Sequence, residues 1–426
     1  MRRLRARIAS WFVRRQLAKL TEGGLDLSSI SALPASTLMP LRRDGLDPVP
    51  DLARARDATP VSELQFPLGI KVWLVSGRDE VRAVLGSTED YSTDFAHVAR
   101  QAGLDAANSP GGLGFADPPD HTRLRKLLTP EFTMRRLARL TPRISEVVDE
   151  RLARIAAADG PVDLVEEFAL PIPSLVICDL LGVPYEDRAE FQELATARFD
   201  LISGASASLG AISDSLVYLR EQVKKQRDEP TDGLLGMIIR EHRDQIDDEE
   251  LAGLADGVLT GGFETTASML ALGTLALLED PEAARLVRED DAAVGPIVEE
   301  LLRYLTVVQV AFPRFARRDL VLGGTAIAEG DAIICSLSGA DRDSGGDATI
   351  DLEVFDPHRT PGPHYAFGHG IHRCIGAELA RMELRAAYPA LFRRFPQLRL
   401  AVPADQLEFR DTSIVYGVEA LPVLVR

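Results

Sequence analysis

No run in this 426-residue chain approaches 18 consecutive apolar residues, which excludes a membrane-spanning helix. Cysteine is scarce. Cys178, Cys335 and Cys374 are odd in number, so they exclude a disulfide framework and suit a reducing, cytoplasmic setting. Basic charge is in the minority: Lys+Arg 48 against Asp+Glu 65 gives −17, which argues against a general nucleic-acid binder. After Ser36 the chain has no long Gly/Ser- or Pro-rich linker and no internal repeat, and we read one large domain there. What is present is ordinary: 46% apolar and 27% charged residues, the composition of a globular protein.

Residues 1–20 stand apart. They hold Arg2, Arg3, Arg5, Arg7, Arg14, Arg15 and Lys19 and no acid, while Leu4, Ile8, Trp11 and Phe12 recur at helical spacing. The stretch lacks the continuous apolar core and small-residue cleavage site of a secretory signal. A basic amphipathic helix of this kind either docks on the protein's own body or lies on an anionic membrane surface, a peripheral contact. We therefore divide the chain into a basic amphipathic extension, 1–20, and a main domain, 21–426. Helical patterns dominate from about 117 to 304: residues 122–140, 143–158, 214–227 and a run of about 30 residues over 248–280. Strand-like pieces lie at Ile70–Leu74, Ala332–Cys335 and in the tail from Leu398 to Val425. The expected fold is mainly α with a smaller β-rich region.

The most informative segment runs from Phe367 through Gly368, Gly370, His372, Arg373 and Cys374 to Gly376, just before the helical pattern AELARMELRAAY. Glycines let backbone approach a large flat ligand and leave amide groups free to point at the sulfur. Nearby positive charge and a helix N-terminus favour the thiolate, the metal-binding form. Taken alone, a cysteine in a Gly-rich turn also reads as a plain free thiol. The spacing F-G-x-G-x-H-R-C-x-G, however, resembles the heme-binding loop of the cytochromes P-450, in particular the soluble bacterial type. Cys178 and Cys335 sit in apolar runs and read as packed core.

That resemblance spans about residues 60–426 and implies a single heme domain over 21–426, with heme b between a long central helix and the cysteine loop. It implies Cys374 as the axial thiolate, with Phe367, Gly368, His372 and Gly376 against the heme. Gly261-Gly262-Phe263-Glu264-Thr265, inside the long helical run, is similar to the family's oxygen-binding groove, where an acid–alcohol pair delivers protons; Glu264 and Thr265 fall on those positions and Gly261 on the heme side. Two glycines within a helix cost roughly 1 kcal/mol each, so space or a local opening of the helix is expected there. His121 and Arg125, one turn apart, and Arg314 match positions that hold the heme propionates. Glu300 and Arg303 match a buried pair that is structural; its usual third partner precedes the Phe corresponding to Phe355, where this chain has Val354, leaving Arg359 or His358 as replacements.

The implied reaction is monooxygenation of a lipophilic small molecule by dioxygen, with electrons from an external ferredoxin and ferredoxin reductase, because the chain has no flavin or iron–sulfur motif of its own. Arg123, Arg125, Lys126, Arg135, Arg136, Arg373, Arg381 and Arg385 would form a basic face for a small acidic ferredoxin, or are scattered and solvated. Val258, Phe263, Val310, Ala311, Phe312 and Ile414 match positions facing substrate, all apolar, which implies a lipophilic substrate such as a fatty acid, terpenoid, steroid or polyketide; the basic amphipathic start adds a preference for a fatty acid or related lipid. A peroxygenase driven by hydrogen peroxide is the nearest alternative, although such members usually replace the acid–alcohol pair; a non-catalytic heme-binding sensor is a further one.

Overall fold

The computed structural model of the protein describes residues 34–65, 71–94, 113–183, 205–347 and 349–426. The basic extension 1–20, Ile70 and Pro184 fall outside the described residues. Among the described residues, no helix is long and apolar enough to cross a membrane.

The spine of the fold is the central helix Asp248–Glu279. Asp247 caps it by accepting from the Glu250 amide at 2.8 Å, and Asp248, Glu249 and Glu250 set negative charge against the positive end of the helix dipole. From Ala267 to Leu277 the helix is buried nearly all round, and helices Pro171–Leu181, Ala205–Asp228 and Ala377–Arg394 pack against it. Two glycines make that packing possible. A Cβ on Gly273 would sit 2.0 Å from the Tyr388 hydroxyl, which donates to the Met269 carbonyl, and one on Gly262 would sit 2.9 Å from Ile177 Cδ1. The helix is α-helical from end to end. The expected local opening is therefore not found: Gly262 answers to packing, and Gly261, with nothing within 4 Å of a Cβ, to open space.

The pattern over 122–140 reads as one helix but folds as four short pieces: helix Asp120–Leu128, a 3-10 turn Thr129–Phe132, helix Met134–Leu137 and a 3-10 turn Ala138–Leu140. Pro130 has no amide hydrogen to continue the first of them. The β portion centres on a five-stranded sheet in the order Val61–Gln65, Lys71–Val75, Ala332–Cys335, Arg314–Ala316, Tyr91–Ser92. Ala332–Cys335 pairs in parallel with Lys71–Val75 and antiparallel with Arg314–Ala316, so distant parts of the chain meet in one sheet and Arg314 lies beside Ile333 of its central strand.

Glu300 and Arg303 are both buried and bidentate, at 2.8 Å for each contact. Arg359 Nε supplies the third member, donating to Glu300 Oε1 at 3.0 Å, while His358 does not enter the pair. Val354 participates through its backbone instead: its carbonyl accepts from Arg303 at 3.1 Å, alongside the Asp341 and Leu352 carbonyls at 2.9 and 2.8 Å.

Candidate functional site

The cysteine loop is held by its own backbone. Gly368 and Gly370 adopt φ of +67° and +71°, and a Cβ on Gly370 would lie 2.1 Å from the Leu85 carbonyl oxygen, so glycine is required there on both counts. The Cys374 amide donates to the Phe367 carbonyl at 2.8 Å, and Gly376 opens the helix Ala377–Arg394. Cys374 is exposed, whereas Cys178 and Cys335 are buried in the core as read. The surrounding protein still desolvates the Cys374 thiol and pushes its pKa up. The Gly376 amide and the charges of Arg125, Arg373 and Arg381 oppose this without reversing it. The sequence-based expectation of a thiolate favoured by its surroundings thus holds in sign for the charges, but desolvation wins until a metal cation is bound.

Beside the loop, four basic side chains converge. The His121 and His372 rings lie 4.3 Å apart between centroids, and Arg125 Nη2 donates to the Arg373 carbonyl at 2.6 Å. His121 is 2% exposed, and neither ring nitrogen has a hydrogen-bond partner among the described residues. Arg314 is 5% exposed, and its guanidinium donates only to the Phe312 and Pro313 carbonyls, at 2.8 and 3.4 Å. Burial lowers the pKa of His121, Arg125 and Arg314. For His372, burial first, then Arg314 and His121, drives it to about 3, so the ring is neutral at pH 7. Buried cations without carboxylate partners and a buried histidine with two idle nitrogens are costly unless a ligand satisfies them. The donor set fits a flat ligand that carries carboxylates at its edge and a thiophilic metal at its centre, as heme does.

Asp117 anchors the cluster from behind, and sequence reading missed it. It accepts from the Thr93 amide and hydroxyl at 3.0 Å, pairs with Arg317, and is held below the usual carboxylate range. Burial opposes that lowering, and the hydrogen bonds from Ser92 and Thr93 prevail. Thr93 Oγ1 in turn lies 3.5 Å from His372 Nε2.

On the central helix, Gly261 is exposed and Thr265 Oγ1 donates to the Gly261 carbonyl at 2.7 Å. Glu264 is buried and turned toward the C-terminal segment, where Arg410 Nη1 lies 3.1 Å from its Oε1 and Arg410 Nε lies 3.6 Å from Glu419 Oε2. Burial raises the Glu264 pKa from 4.5 to about 7; Arg410 pulls it down and Glu419 up. Arg410 is 146 residues away in sequence, too far for any local pattern to mark it.

The apolar residues divide. Phe312 and Ile414 are 52% and 56% exposed; Val310 and Ala311 precede Phe312 in the chain, Ile414 meets that stretch through the Gln309 amide, which donates to its carbonyl at 3.0 Å, and Phe115 meets Phe312 at 4.7 Å between ring centroids. Phe263 is 1% exposed and packed in the main core, and Val258 packs against that core; Phe263 does not line an open cleft. The expected basic face is also smaller. Arg123 pairs with Glu250, Arg136 with Glu241, and Arg381 and Arg385 with Glu299. Lys126, Arg135 and Arg373 are exposed, and no carboxylate among the described residues pairs with them.

Comparison with known proteins agrees with this picture. The family model described as Cytochrome P450 matches residues 65–247 and 211–406. Cytochrome P450 165B3 of Amycolatopsis orientalis is 40% identical over 389 residues, covering 90% of this chain and 97% of its own. Pentalenic acid synthase of Streptomyces avermitilis is 37% identical over 411 residues, covering 95% and 100%. Among solved structures, the complex of the X-domain and OxyB from teicoplanin biosynthesis matches with a TM-score of 0.81 at 41% identity, over 90% of this chain and 99% of that one.

Proposed function

Because the chain belongs to the cytochrome P450 family and is a heme b monooxygenase, we propose that Cys374 would hold the heme iron through its sulfur and that residues 21–426 form the heme domain. When bound, the heme supplies the iron at which dioxygen is reduced by two electrons and two protons, one oxygen atom entering the substrate and the other leaving as water. The chain's own residues do the rest. Phe367, Gly368 and Gly376 shape the bed around the Cys374 sulfur. His121, Arg125, Arg314 and His372 hold the carboxylates, and Gly261 leaves room on the opposite side. Glu264, with a pKa of about 7, takes and gives a proton near neutrality, and Thr265 offers the hydroxyl oxygen that its bond to Gly261 leaves free to accept. Glu300 and Arg303 are structural.

The observation that carries this reading is the pairing of an exposed cysteine with a buried histidine, His121, whose two ring nitrogens have no hydrogen-bond partner among the described residues, beside a buried Arg314 that meets only backbone carbonyls there. The test is the carbon-monoxide difference spectrum of the dithionite-reduced protein beside Cys374→Ser. A thiolate-type band in the wild type alone supports the assignment; a histidine-type band in the folded wild type overturns it.

The substrate is a lipophilic small molecule, contacted by Phe312, Ile414, Val310 and Ala311, with a fatty acid or related lipid as the first candidate class. Spin-state titration with fatty acids and with polycyclic terpenoids separates the candidate classes. Electrons come from a ferredoxin served by its reductase, drawn by the exposed Lys126, Arg135 and Arg373. Its affinity should fall with salt and on charge reversal at Lys126. The protein works in the cytoplasm, and residues 1–20 either dock on its own body or give it peripheral contact with anionic membranes; vesicle binding lost on deletion of 1–20 selects the membrane contact, and no binding by the full chain, or binding that survives the deletion, refutes it.

A further inference from the structure

Glu299 and Glu300 are neighbours on the helix Asp291–Leu305, and at about 100° per residue they point in different directions. Glu300 is committed to Arg303 and Arg359. Glu299 faces the cysteine loop and the helix that follows it. Its two oxygens receive Arg381 Nε and Nη2 at 2.7 and 2.8 Å, a bidentate pair, with Arg385 at 3.2 Å and His364 Nε2 at 3.2 Å. The Ala366 amide donates to His364 Nδ1 at 3.3 Å, so that nitrogen is bare and Nε2 carries the proton given to Glu299. Arg381 is further held by Glu378 at 2.9 Å, and its guanidinium carbon lies 4.6 Å over the Phe367 ring. Burial would raise the Glu299 carboxyl, but the bonds from His364 and Arg381 hold it at about 2, ionised throughout the neutral range.

One carboxylate therefore grips the chain on both sides of Cys374: His364 and, through Arg381, Phe367 before it, and Arg381 and Arg385 after it. Arg381 is also one of three arginines whose charge acts on the Cys374 sulfur. From this arrangement we infer that Glu299 is a positioning residue that fixes Arg381 against Phe367, and that the Glu299–Arg381 pair contributes to the electrostatic field at the cysteine loop. A partly desolvated pair acts strongly over short range, so the two members must act with opposite sign. Arg381 favours the state with the extra electron, and Glu299 offsets it.

This inference rests on Cys374 as the axial ligand. The test is a dithionite titration of the heme-loaded protein with mediator dyes, each ferric iron taking one electron as dithionite is oxidised. Glu299→Gln should favour reduction, and Arg381→Met should disfavour it, each by threefold or more in the reduction equilibrium, about 28 mV at 59 mV per tenfold for one electron. A loss of packing alone would move both variants the same way or leave both potentials unchanged, and either result overturns the inference. Glu378→Gln, at the looser contact of Arg381, should give a smaller shift in the direction of Glu299→Gln and serves if the first variant fails to fold. Amide hydrogen exchange over 364–376 in heme-free protein should rise in Glu299→Gln and Arg381→Met alike; unchanged protection would remove the positioning role. If Cys374→Ser keeps the thiolate-type band, the ligand assignment fails; if the band is lost yet the potentials stay fixed, this inference fails alone.

Discussion

The Glu300 cluster and the His121 cluster are both buried and both polar, but they differ in how their bonds are closed. Around Glu300, each carboxylate oxygen meets an arginine, and Arg303 extends to three backbone carbonyls. Around His121, two ring nitrogens are idle and Arg314 meets only the carbonyls of the two residues before it, among the described residues. A saturated cluster stabilises the fold. A cluster left open at this cost implies a ligand that closes it.

The sharpest way to break that comparison is to damage the saturated side. Arg303→Met leaves the Glu300 carboxylate buried with one arginine fewer, and should destabilise the protein by about 3–5 kcal/mol in urea unfolding, with or without heme. An unchanged midpoint would mean that the cluster is ornamental. The open side should behave in reverse. His121→Phe and Arg314→Met should leave heme-free stability unchanged or raised, while heme loss to an acceptor protein accelerates by about tenfold to a hundredfold, as for supporting partners of other metal groups. Lower heme-free stability with unaltered heme retention would make this cluster structural.

Glu264 lies between these two cases, since it has a partner yet remains poorly ionised. Its carboxyl is raised from 4.5 to about 7 in the folded protein, so its stabilising contribution is present below about 4.5 and is lost as pH rises through 7. Stability should therefore decline over that window in the wild type and decline less in Glu264→Gln, measured by denaturant midpoints at successive pH values. Arg410→Met should extend the protonated range upward, since Arg410 opposes the rise; a lower transition would contradict the pairing. The smallest effect is expected at Ile414→Ala, a several-fold weaker spin-state response to an apolar substrate, matching a few lost methylene contacts.

Much of this was legible in the chain. The loop from Phe367 to Gly376 is a local motif, and its two positive-φ glycines are conditions on the backbone that a sequence states directly. The central helix was readable from its length and its apolar run. The break at Pro130 was readable in principle, because a proline stops a helix wherever it falls, but the apolar periodicity on both sides masked it. Gly261 and Gly262 look alike in sequence, and only their neighbours tell the one facing open space from the one packed on Ile177. Phe263 illustrates the same limit. An apolar residue beside an acid–alcohol pair can face a cleft or the core, and a turn of helix decides which.

By itself the sequence determined the chemistry on offer: a cysteine among glycines and arginines, an acid–alcohol pair on a long helix, and a Glu–Arg pair one turn apart. These depend on covalent identity and short-range geometry, which the chain carries locally. Tertiary structure alone decided the partners: Arg359 rather than His358 for Glu300, Arg410 for Glu264, Asp117 behind His372, and the cancellation of Arg123, Arg136, Arg381 and Arg385 by carboxylates. Charge acts through space over a few ångströms, and which charges come that close is settled only when distant segments pack.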